Sequence, residues 1–452
     1  MQLINNIRSF INSGQARTAR AKKNIIAMLF LRGASILCSL ITVPLTINYV
    51  SKYEYGIWLT ISSLVAWLSF FDLGIGNGLR NKFIEAIEQG KHKLAKIYVS
   101  TAYSIISMIV GIVWIIAIII SLFINWSSVL NAEASLSKEL LWTVIIVITN
   151  FSLLFILGLN RSLLNAIQKP AIASAFDTTT QVLLCVVLLI LTHYTEGSLI
   201  YLAIAMGGTS MIVLVSSNIW TFHGVLKKYR PSYKSVRFRL AKGIMSMGIL
   251  FFFIQVIAIA FYQTNNLIIS HFVGPTEVTV YNIAYKYMQV LSMLFTILIT
   301  PFWSAYAEAN VNGDYEWMRK TTKKLIQIVI GLACIGAVMV LLSPWFYKIW
   351  LRGSVEVPIL ITILVCAFHI FNIWSSLWTQ LLSGFGKIRL QVIMSTLCCI
   401  SYLPLGIWGC KHFGVRGLLI ASLISFILFT SWFGIIQVHK LIDRTATGIW
   451  NK

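Results

Sequence analysis

Four charged side chains lie well inside long apolar stretches of the sequence: Arg32, Asp72, Asp177 and Lys286. Each stretch has the roughly 20 residues needed to cross a bilayer, where a central charge costs about 2.5–3.5 kcal/mol. We therefore expect these side chains to face a bundle interior or a water-filled cavity. There the cations suit an anionic ligand, and the two carboxylates suit coupling to H⁺ or Na⁺. Pairing of Arg32 and Lys286 with the carboxylates is the alternative.

Two further cations lie at the ends of apolar segments, Arg80 after the second and Arg161 after the fourth. Together with Arg32 and Lys286 they are the candidates for a cationic cavity that binds a substrate. For Arg161 the alternative is that its long side chain only reaches back to the membrane surface.

Amides and aromatic rings that could contact sugars recur at helical spacing in the seventh and eighth apolar segments. The sugar-contact candidates are Tyr262, Asn266, Asn282, Tyr285 and Gln289. Residues three or four positions apart share one face of a helix, as Tyr262 and Asn266 would. The alternative is that these side chains only form hydrogen bonds between neighbouring helices.

Composition and missing motifs exclude several classes of protein. Hydrophobic residues make up 58% of the 452, and charged residues make up 11%, against about 25% in soluble domains. The net charge of +22 does not indicate nucleic-acid binding, because the basic residues lie between apolar segments. We find no catalytic motif, no phosphate-binding loop and no metal-ligand spacing among the seven cysteines. The sequence therefore predicts a protein that is not an enzyme and that uses no cofactor or metal.

Twelve apolar segments are candidates for membrane-spanning helices. They lie at 24–47, 56–78, 97–124, 140–159, 172–192, 198–221, 243–270, 279–303, 325–347, 358–381, 391–410 and 415–438. Of the 36 Lys and Arg residues, 28 fall in segments on the side of the N-terminus and six on the other side. Because cytoplasmic loops are rich in Lys and Arg, both termini are predicted to be cytoplasmic. The predicted fold class is an all-α polytopic membrane protein with twelve transmembrane helices.

The sequence also resembles itself. A shift of 223 residues aligns 50–91 with 273–314 without a gap and gives seven identities, among them Glu85, Ala86 and Gly90. Since six spans separate the copies, the halves are predicted to be six-helix bundles related by a parallel pseudo-two-fold repeat. The predicted domains are a basic cytoplasmic segment 1–23, bundles 24–221 and 243–438, a basic cytoplasmic linker 222–242 and a cytoplasmic tail 439–452. The linker is interpreted as a tether near anionic lipid.

Several motifs resemble those of a known family of transporters. They are Tyr53-Glu-Tyr-Gly-Ile-Trp58, Phe71-Asp-Leu-Gly-Ile-Gly-Asn-Gly78, Asn165-Ala-Ile-Gln-Lys169, Asn265-Asn-Leu-Ile-Ile-Ser-His-Phe-Val-Gly274 and Val280-Tyr-Asn-Ile-Ala-Tyr-Lys286. With twelve spans in two halves, the chain resembles the multidrug/oligosaccharidyl-lipid/polysaccharide exporter superfamily. Within it the chain is most similar to the Wzx-type O-antigen and polysaccharide flippases.

The resemblance implies a substrate and a mode of action. The substrate would be an undecaprenyl-diphosphate-linked oligosaccharide, moved from the cytoplasmic to the periplasmic leaflet of the bacterial inner membrane. The two halves would alternate in access around a cationic cavity, to which Arg32, Arg80 and Lys286 would contribute. Membrane lipid, a polysaccharide polymerase and a chain-length regulator would be partners, with H⁺ or Na⁺ as coupling ion.

Three other functions stay open at the level of sequence. One is a cation-coupled multidrug antiporter of the same superfamily, and another is a flippase for a capsular or teichuronic-type glycan. The third is a membrane scaffold that transports nothing, which charges at mid-depth in the membrane disfavour.

Overall fold

The structure, a computed structural model, describes residues 16–68, 75–167, 169–240, 263–387 and 389–451. Within these ranges the chain is almost entirely helical and has no β-strand. Seven helical stretches in the same ranges are long and apolar enough to cross a membrane. Helices suit this role because backbone groups in hydrocarbon must satisfy their own hydrogen bonds. These are the properties of a multi-pass membrane protein, whereas the total of twelve spans stays a prediction.

The helices within the described ranges are numbered α1 to α14. In chain order they are α1 (Ala16–Tyr49), α2 (Lys52–Ala66), α3 (Ile75–Glu88), α4 (His92–Phe123), α5 (Ser137–Leu157), α6 (Leu159–Ala166), α7 (Pro170–Tyr194), α8 (Leu199–His223), α9 (263–272), α10 (Pro275–Asn312), α11 (Tyr315–Trp350), α12 (Ile359–Phe385), α13 (Arg389–Ser425) and α14 (Phe433–Ile442). A one-turn helix, Trp126–Leu130, follows α4, and a π-helical turn, Phe426–Thr430, follows α13.

The chain divides by its internal contacts into two compact units. Unit 1 consists of Met1–Val50, Val65–Trp126 and Ala134–Gln255, and unit 2 consists of Ser51–Leu64, Ser127–Glu133 and Val256–Lys452. Most of α2 therefore packs with the second half of the chain, although it precedes α3 in sequence.

Several helices extend beyond the apolar segments that predicted them. Helix α10 covers Pro275–Asn312, whereas its apolar segment is 279–303. Hydropathy marks only the stretch that suits hydrocarbon, while helical hydrogen bonding continues into polar residues outside it.

Gly414 interrupts α13 close to the expected boundary between its two apolar segments. Its backbone angles, φ 62° and ψ −149°, are not helical. A residue without a Cβ adopts such angles at little cost. The helix axis therefore changes direction here, and Gly409 meets Gly417 across the bend.

The two copies of the sequence repeat end their helices in the same way. Gly90 and Gly313, 223 positions apart, are both left-handed, with φ 68° and 70°. The next residue in each copy donates its N–H to the carbonyl of the repeated alanine: Lys91 to Ala86 at 2.8 Å and Asp314 to Ala309 at 2.9 Å. This arrangement caps the last carbonyls of both helices. Helices α2 and α10 also begin 223 residues apart, at Lys52 and Pro275.

Part of the core of unit 1 lies between α3 and α4. Ile75, Leu79 and Phe83 lie four residues apart on one face of α3 and are fully buried, together with residues of α4 such as Val99. Dispersion contacts between close-packed side chains of this size are individually small and collectively large. This packing holds the amino-terminal end of α3, with Gly76, in a fixed place.

The basic linker is folded onto this core in its described part, 222–240. Tyr229 packs edge-on against Phe83, with ring centres 5.1 Å apart, and its hydroxyl lies 2.8 Å from Nδ1 of His92. The backbone N–H groups of Ser232 and Arg237 donate to hydroxyls of α4, at 3.1 and 3.0 Å. The linker is therefore an ordered cover over α4, and its basic side chains remain exposed.

Candidate functional site

A cavity of about 550 Å³ opens within unit 1 among α1, α3, α4, α5, α6, α7 and α8. Its lining combines apolar side chains with polar side chains from four of these helices. The polar side chains are Ser35, Arg161, Ser162, Asp177, Thr180, Gln181 and Ser210. A polar cavity inside an apolar helix bundle is where a membrane protein can hold a charged or hydrogen-bonding ligand.

Arg161 and Asp177 form an ion pair in this cavity. Arg161 lies in the first turn of α6, and its Nη2 donates to Oδ1 of Asp177 on α7. Gly158 precedes α6, and its backbone carbonyl accepts a 3.0 Å hydrogen bond from the N–H of Arg161. The two residues are sixteen positions apart in sequence, and their ion pair joins α6 to the next helix, α7.

The ion pair is open to the cavity. The side chains of Arg161 and Asp177 are 52% and 46% exposed. Ion pairs this accessible contribute only about 0–1 kcal/mol, because solvent screens them and competes for both partners. The guanidinium can therefore exchange its carboxylate partner for another anion at small cost.

Neutral groups beside the pair suit a ligand that is partly polar and partly flat. Gln181 lies one turn after Asp177 on the same face of α7, and both side chains line the cavity. Two aromatic rings of α5, Phe151 and Phe155, line it too and stack with centres 5.8 Å apart. Phe151 and Phe155 are not among the candidates predicted from the sequence, although their i, i+4 spacing on a segment ending near Arg161 is a detectable signal.

A network of amides lies in unit 2, where α2, α9, α10 and α13 meet. Nδ2 of Asn282 donates to Oδ1 of Asn266 at 2.7 Å, and Nδ2 of Asn266 donates to Oγ of Ser63 at 2.7 Å. Nδ2 of the neighbouring Asn265 donates to the hydroxyl of Tyr281 at 3.1 Å. The Tyr402 hydroxyl donates to Oδ1 of Asn265. Sequence analysis did not identify Ser63 or Tyr402, because only packing shows which hydroxyls meet an amide.

This network favours a structural role for Asn266, which is 8% exposed and bonded through both of its amide atoms. Asn282 uses its two N–H groups on Asn266 and on the carbonyl of Val278. Amides paired in this way hold neighbouring helices together. Both sugar-contact candidates thus take part in a hydrogen bond between α9 and α10, and their role toward a sugar stays a prediction.

Three other candidates of α10 differ in their surroundings. Lys286, one turn after Asn282, is half-buried and forms no salt bridge within the described residues. The ring of Tyr285 lies 4.7 Å from that of His369, which is buried and 2.8 Å from the Ser292 hydroxyl. Gln289 is exposed.

The remaining candidates lie elsewhere or outside the described residues. Arg80 on α3 is exposed and is not among the described residues that line the cavity. The Arg32 side chain, Asp72 and Tyr262 fall outside what the structure describes. No group of three or more His, Cys, Asp or Glu that could hold a metal occurs in the part of the chain searched.

Comparison with known families identifies the chain. The family described as polysaccharide biosynthesis proteins matches residues 21–307, which include all of the cavity lining. The chain belongs to this family. The match therefore covers unit 1 from residue 21 onward and the asparagines of the amide network in α9 and α10.

Curated relatives of this family member are bacterial proteins named for the transport or export of O-antigen. It is 22% identical over 422 residues to a Salmonella typhimurium protein named as an O-antigen transporter, covering 87% of this chain and 90% of the relative. It is 21% identical over 428 residues to a Yersinia pseudotuberculosis protein named as an O-antigen export protein, covering 91% and 94%.

Solved structures share the fold of this family member. The lipid II flippase MurJ in an inward closed conformation superposes with a TM-score of 0.71 at 14% identity, covering 94% of each chain. A multidrug resistance MATE transporter of the MOP superfamily, in an inward-facing conformation, gives 0.70 at 13%, covering 93% and 96%. The fold is therefore that of a MOP-type transporter.

Proposed function

We propose that the protein is a flippase for undecaprenyl-diphosphate-linked oligosaccharide repeat units of the O-antigen type. It would move them from the cytoplasmic to the periplasmic leaflet of the bacterial inner membrane by alternating access. The observation that carries the proposal is the open cavity of unit 1, in which Arg161 meets Asp177 inside an apolar bundle. The names of the relatives, O-antigen transporter and lipid II flippase, point to cargo of the same chemical class.

Arg161 is the proposed contact for the diphosphate. A guanidinium binds two phosphate oxygens side by side with charge-assisted hydrogen bonds. Its present partner, Asp177, is held by a half-exposed ion pair, which contributes little and is readily replaced. Cargo binding would thus exchange one anion for another at Arg161.

Asp177 is the proposed link to an ion gradient. When the diphosphate takes Arg161, the Asp177 carboxylate loses its cationic partner and lies beside the negative charge of the phosphates instead. Neutralisation by H⁺ or Na⁺ then becomes favourable. Cargo and ion would bind cooperatively, and each would strengthen the binding of the other by the same factor. Asp72 remains the second candidate for this role.

The sugars are proposed to contact flat and amide-bearing side chains. In unit 1 the stacked rings of Phe151 and Phe155 and the amide of Gln181 line the cavity. In unit 2 we propose Tyr285 and Gln289 as sugar contacts. Lys286, with Arg32 and Arg80, would supply further positive charge.

The proposed architecture has twelve spans in two six-helix bundles with both termini in the cytoplasm. The matched helix ends at Gly90 and Gly313, and the matched starts at Lys52 and Pro275, support the internal repeat. The bundles would be 24–221 and 243–438, joined by the linker 222–242. The excess of Lys and Arg on one side supports the orientation.

The decisive experiment locates the lipid-linked repeat units in a strain that lacks the gene. Without the protein, single repeat units should accumulate facing the cytoplasm. Spheroplasts and inverted vesicles treated with a membrane-impermeant periodate reagent would report the side. The intact gene should restore units facing the periplasm, and Lys286→Ala should fail to do so while the protein remains in the membrane.

A matched control is Lys323→Ala, which removes an exposed cation of α11 and should restore transport fully. Units facing the periplasm in the deletion strain would contradict the flippase proposal. Full activity of the Lys286→Ala variant would contradict only the role of Lys286.

A further inference from the structure

A second polar pocket, of about 250 Å³, lies at one end of unit 2. Three separate segments form it: the junction of α10 and α11 with Asn310 and Tyr315, the turn after α12 with Lys387, and the chain after α14 with Arg444 and Asn451. All three belong to the basic segments that the charge count assigns to the cytoplasmic side. We name it the carboxyl-end pocket.

Arg444 supplies the first cation of the carboxyl-end pocket. It follows α14, and its backbone is in the left-handed conformation, with φ 58°. Residues other than Gly, Asn and Asp rarely adopt this conformation. Its guanidinium carbon lies 4.4 Å from the ring centre of Tyr315, a distance that fixes the group by cation–π attraction. The adjacent carboxylate, Asp443, is bound at 2.5 Å by Arg319. Arg444 itself forms no salt bridge among the described residues.

Lys387 supplies the second cation. It follows Gly386, the left-handed cap of α12, and its Nζ donates to the backbone carbonyl of Asn451 at 2.9 Å. This bond uses one of the three N–H groups of the ammonium. Lys387 also has no carboxylate partner in the described ranges. Two cations that form no salt bridge within the described ranges line one cavity together with the amides of Asn310 and Asn451, which suits a phosphate group.

The neighbourhood of the carboxyl-end pocket indicates that the phosphate belongs to a lipid. The ring of Trp450 lies 5.0 Å from Nζ of Lys440, and the side chain of Ile449 is 46% exposed. Trp and Tyr concentrate where a protein crosses the membrane surface. Basic pockets between helix ends on the cytoplasmic side bind the headgroups of anionic lipids.

We propose that the carboxyl-end pocket binds the phosphate of an anionic phospholipid of the inner leaflet, such as phosphatidylglycerol. The guanidinium of Arg444 binds two phosphate oxygens, Lys387 binds a third, and an asparagine amide contacts the glycerol hydroxyls. The bound lipid then joins the last helix, α14, to the ends of α10 and α12. The site lies entirely in unit 2, and its existence does not depend on the cargo proposed above.

The test measures lipid binding to the purified full-length protein in a neutral detergent. Native mass spectrometry would count bound phosphatidylglycerol and phosphatidylcholine for the unaltered chain and for Lys387→Gln and Arg444→Gly. Glycine adopts the left-handed conformation of position 444 without strain, so this change removes the cation and keeps the turn. Loss of each cation should weaken phosphatidylglycerol binding about fivefold, and loss of both about twenty-fivefold. Phosphatidylcholine binding should not change.

Lys440→Gln is the matched control, because it removes a cation of the same segment that does not line the pocket. Binding unchanged in the double variant would overturn the proposal, and so would an equal loss in the control. Inorganic phosphate at the lipid's concentration should not displace phosphatidylglycerol. Equal affinity for phosphate would show a site for free anions and overturn the assignment to lipid. Variants that melt earlier but bind lipid normally would show that these cations only cap helix ends.

Discussion

At the scale of single residues, accessibility distinguishes side chains that can bind a ligand from side chains that hold helices together. Arg161 and Asp177 are half-exposed to a cavity, whereas Asn265 and Asn266 are buried and bonded to neighbouring helices. A polar group already satisfied inside the protein gains little from a ligand, since it must first break its own bonds. The accessible charges are therefore the better candidates for contact with cargo.

We expect Arg161→Gln to weaken binding of undecaprenyl diphosphate to the purified protein. A hydrogen bond to a charged group contributes about 1.5–3 kcal/mol, so the dissociation constant should rise about tenfold to a hundredfold. Arg161→Lys should be only partly active, because an ammonium cannot bind two phosphate oxygens as a guanidinium does. Scintillation proximity with radiolabelled lipid would measure the affinity. Unchanged binding by the Gln variant would remove Arg161 from the site.

Asp177→Asn tests the coupling separately. The amide keeps the shape of the carboxylate but cannot take up a proton or neutralise Arg161. We expect this variant to bind the diphosphate at least as well as the unaltered chain, and its flipping rate in proteoliposomes to become independent of pH and Na⁺. Asp443→Asn is the control, since that carboxylate pairs with Arg319 on the surface. A variant that keeps its ion dependence would assign coupling to another group.

At the scale of the elements, close backbone approaches decide where helices can pack. Around the bend of α13, a Cβ on Gly417 would lie 2.0 Å from the carbonyl oxygen of Gly409. Between α2 and α10, a Cβ added to Gly56 would lie 1.7 Å from the carbonyl oxygen of Pro275. Helices in membranes use small residues in this way because close backbone contact replaces the hydrophobic effect as a source of attraction.

Gly417→Ala should destabilise the protein by roughly 1–3 kcal/mol, because the methyl group meets backbone that cannot move aside. The melting temperature in detergent should fall accordingly. Gly331→Ala on α11 is the control: its Cβ would meet nothing within 4 Å. Alanine there favours the helix by up to about 1 kcal/mol, so stability should stay equal or rise. Equal effects of the two changes would mean that the contact at Gly409 does not limit packing.

At the scale of the whole molecule, membership in the polysaccharide biosynthesis family agrees with the MOP-type fold. The distribution of Lys and Arg predicts that both termini are cytoplasmic, which the fold alone does not predict. Green fluorescent protein fused after Lys452 should fluoresce, since it folds only in the cytoplasm. Alkaline phosphatase inserted after Gly353, in the loop before α12, should be active, since that loop is placed outside. If alkaline phosphatase fused after Lys452 were active instead, the predicted orientation would be wrong.

Several features of this protein follow from its sequence alone. Apolar segments such as 97–124 and 325–347 predicted the helices α4 and α11, because a chain in hydrocarbon has almost no alternative to a helix. The resemblance of the distributed motifs to polysaccharide flippases agrees with the family match. The i, i+4 spacing of Asp177 and Gln181 placed both on one face, and both line the cavity.

Only the tertiary structure decided which side chains meet. The sequence offered Arg32 and Lys286 as partners for the membrane carboxylates, and the structure pairs Asp177 with Arg161. In the structure Phe151 and Phe155 also line the cavity, and the basic linker packs on α4. Helical period determines the face on which a residue lies, but a contact between helices depends on their separation and rotation. Those are set by the packing of the whole bundle, to which residues far apart in sequence contribute.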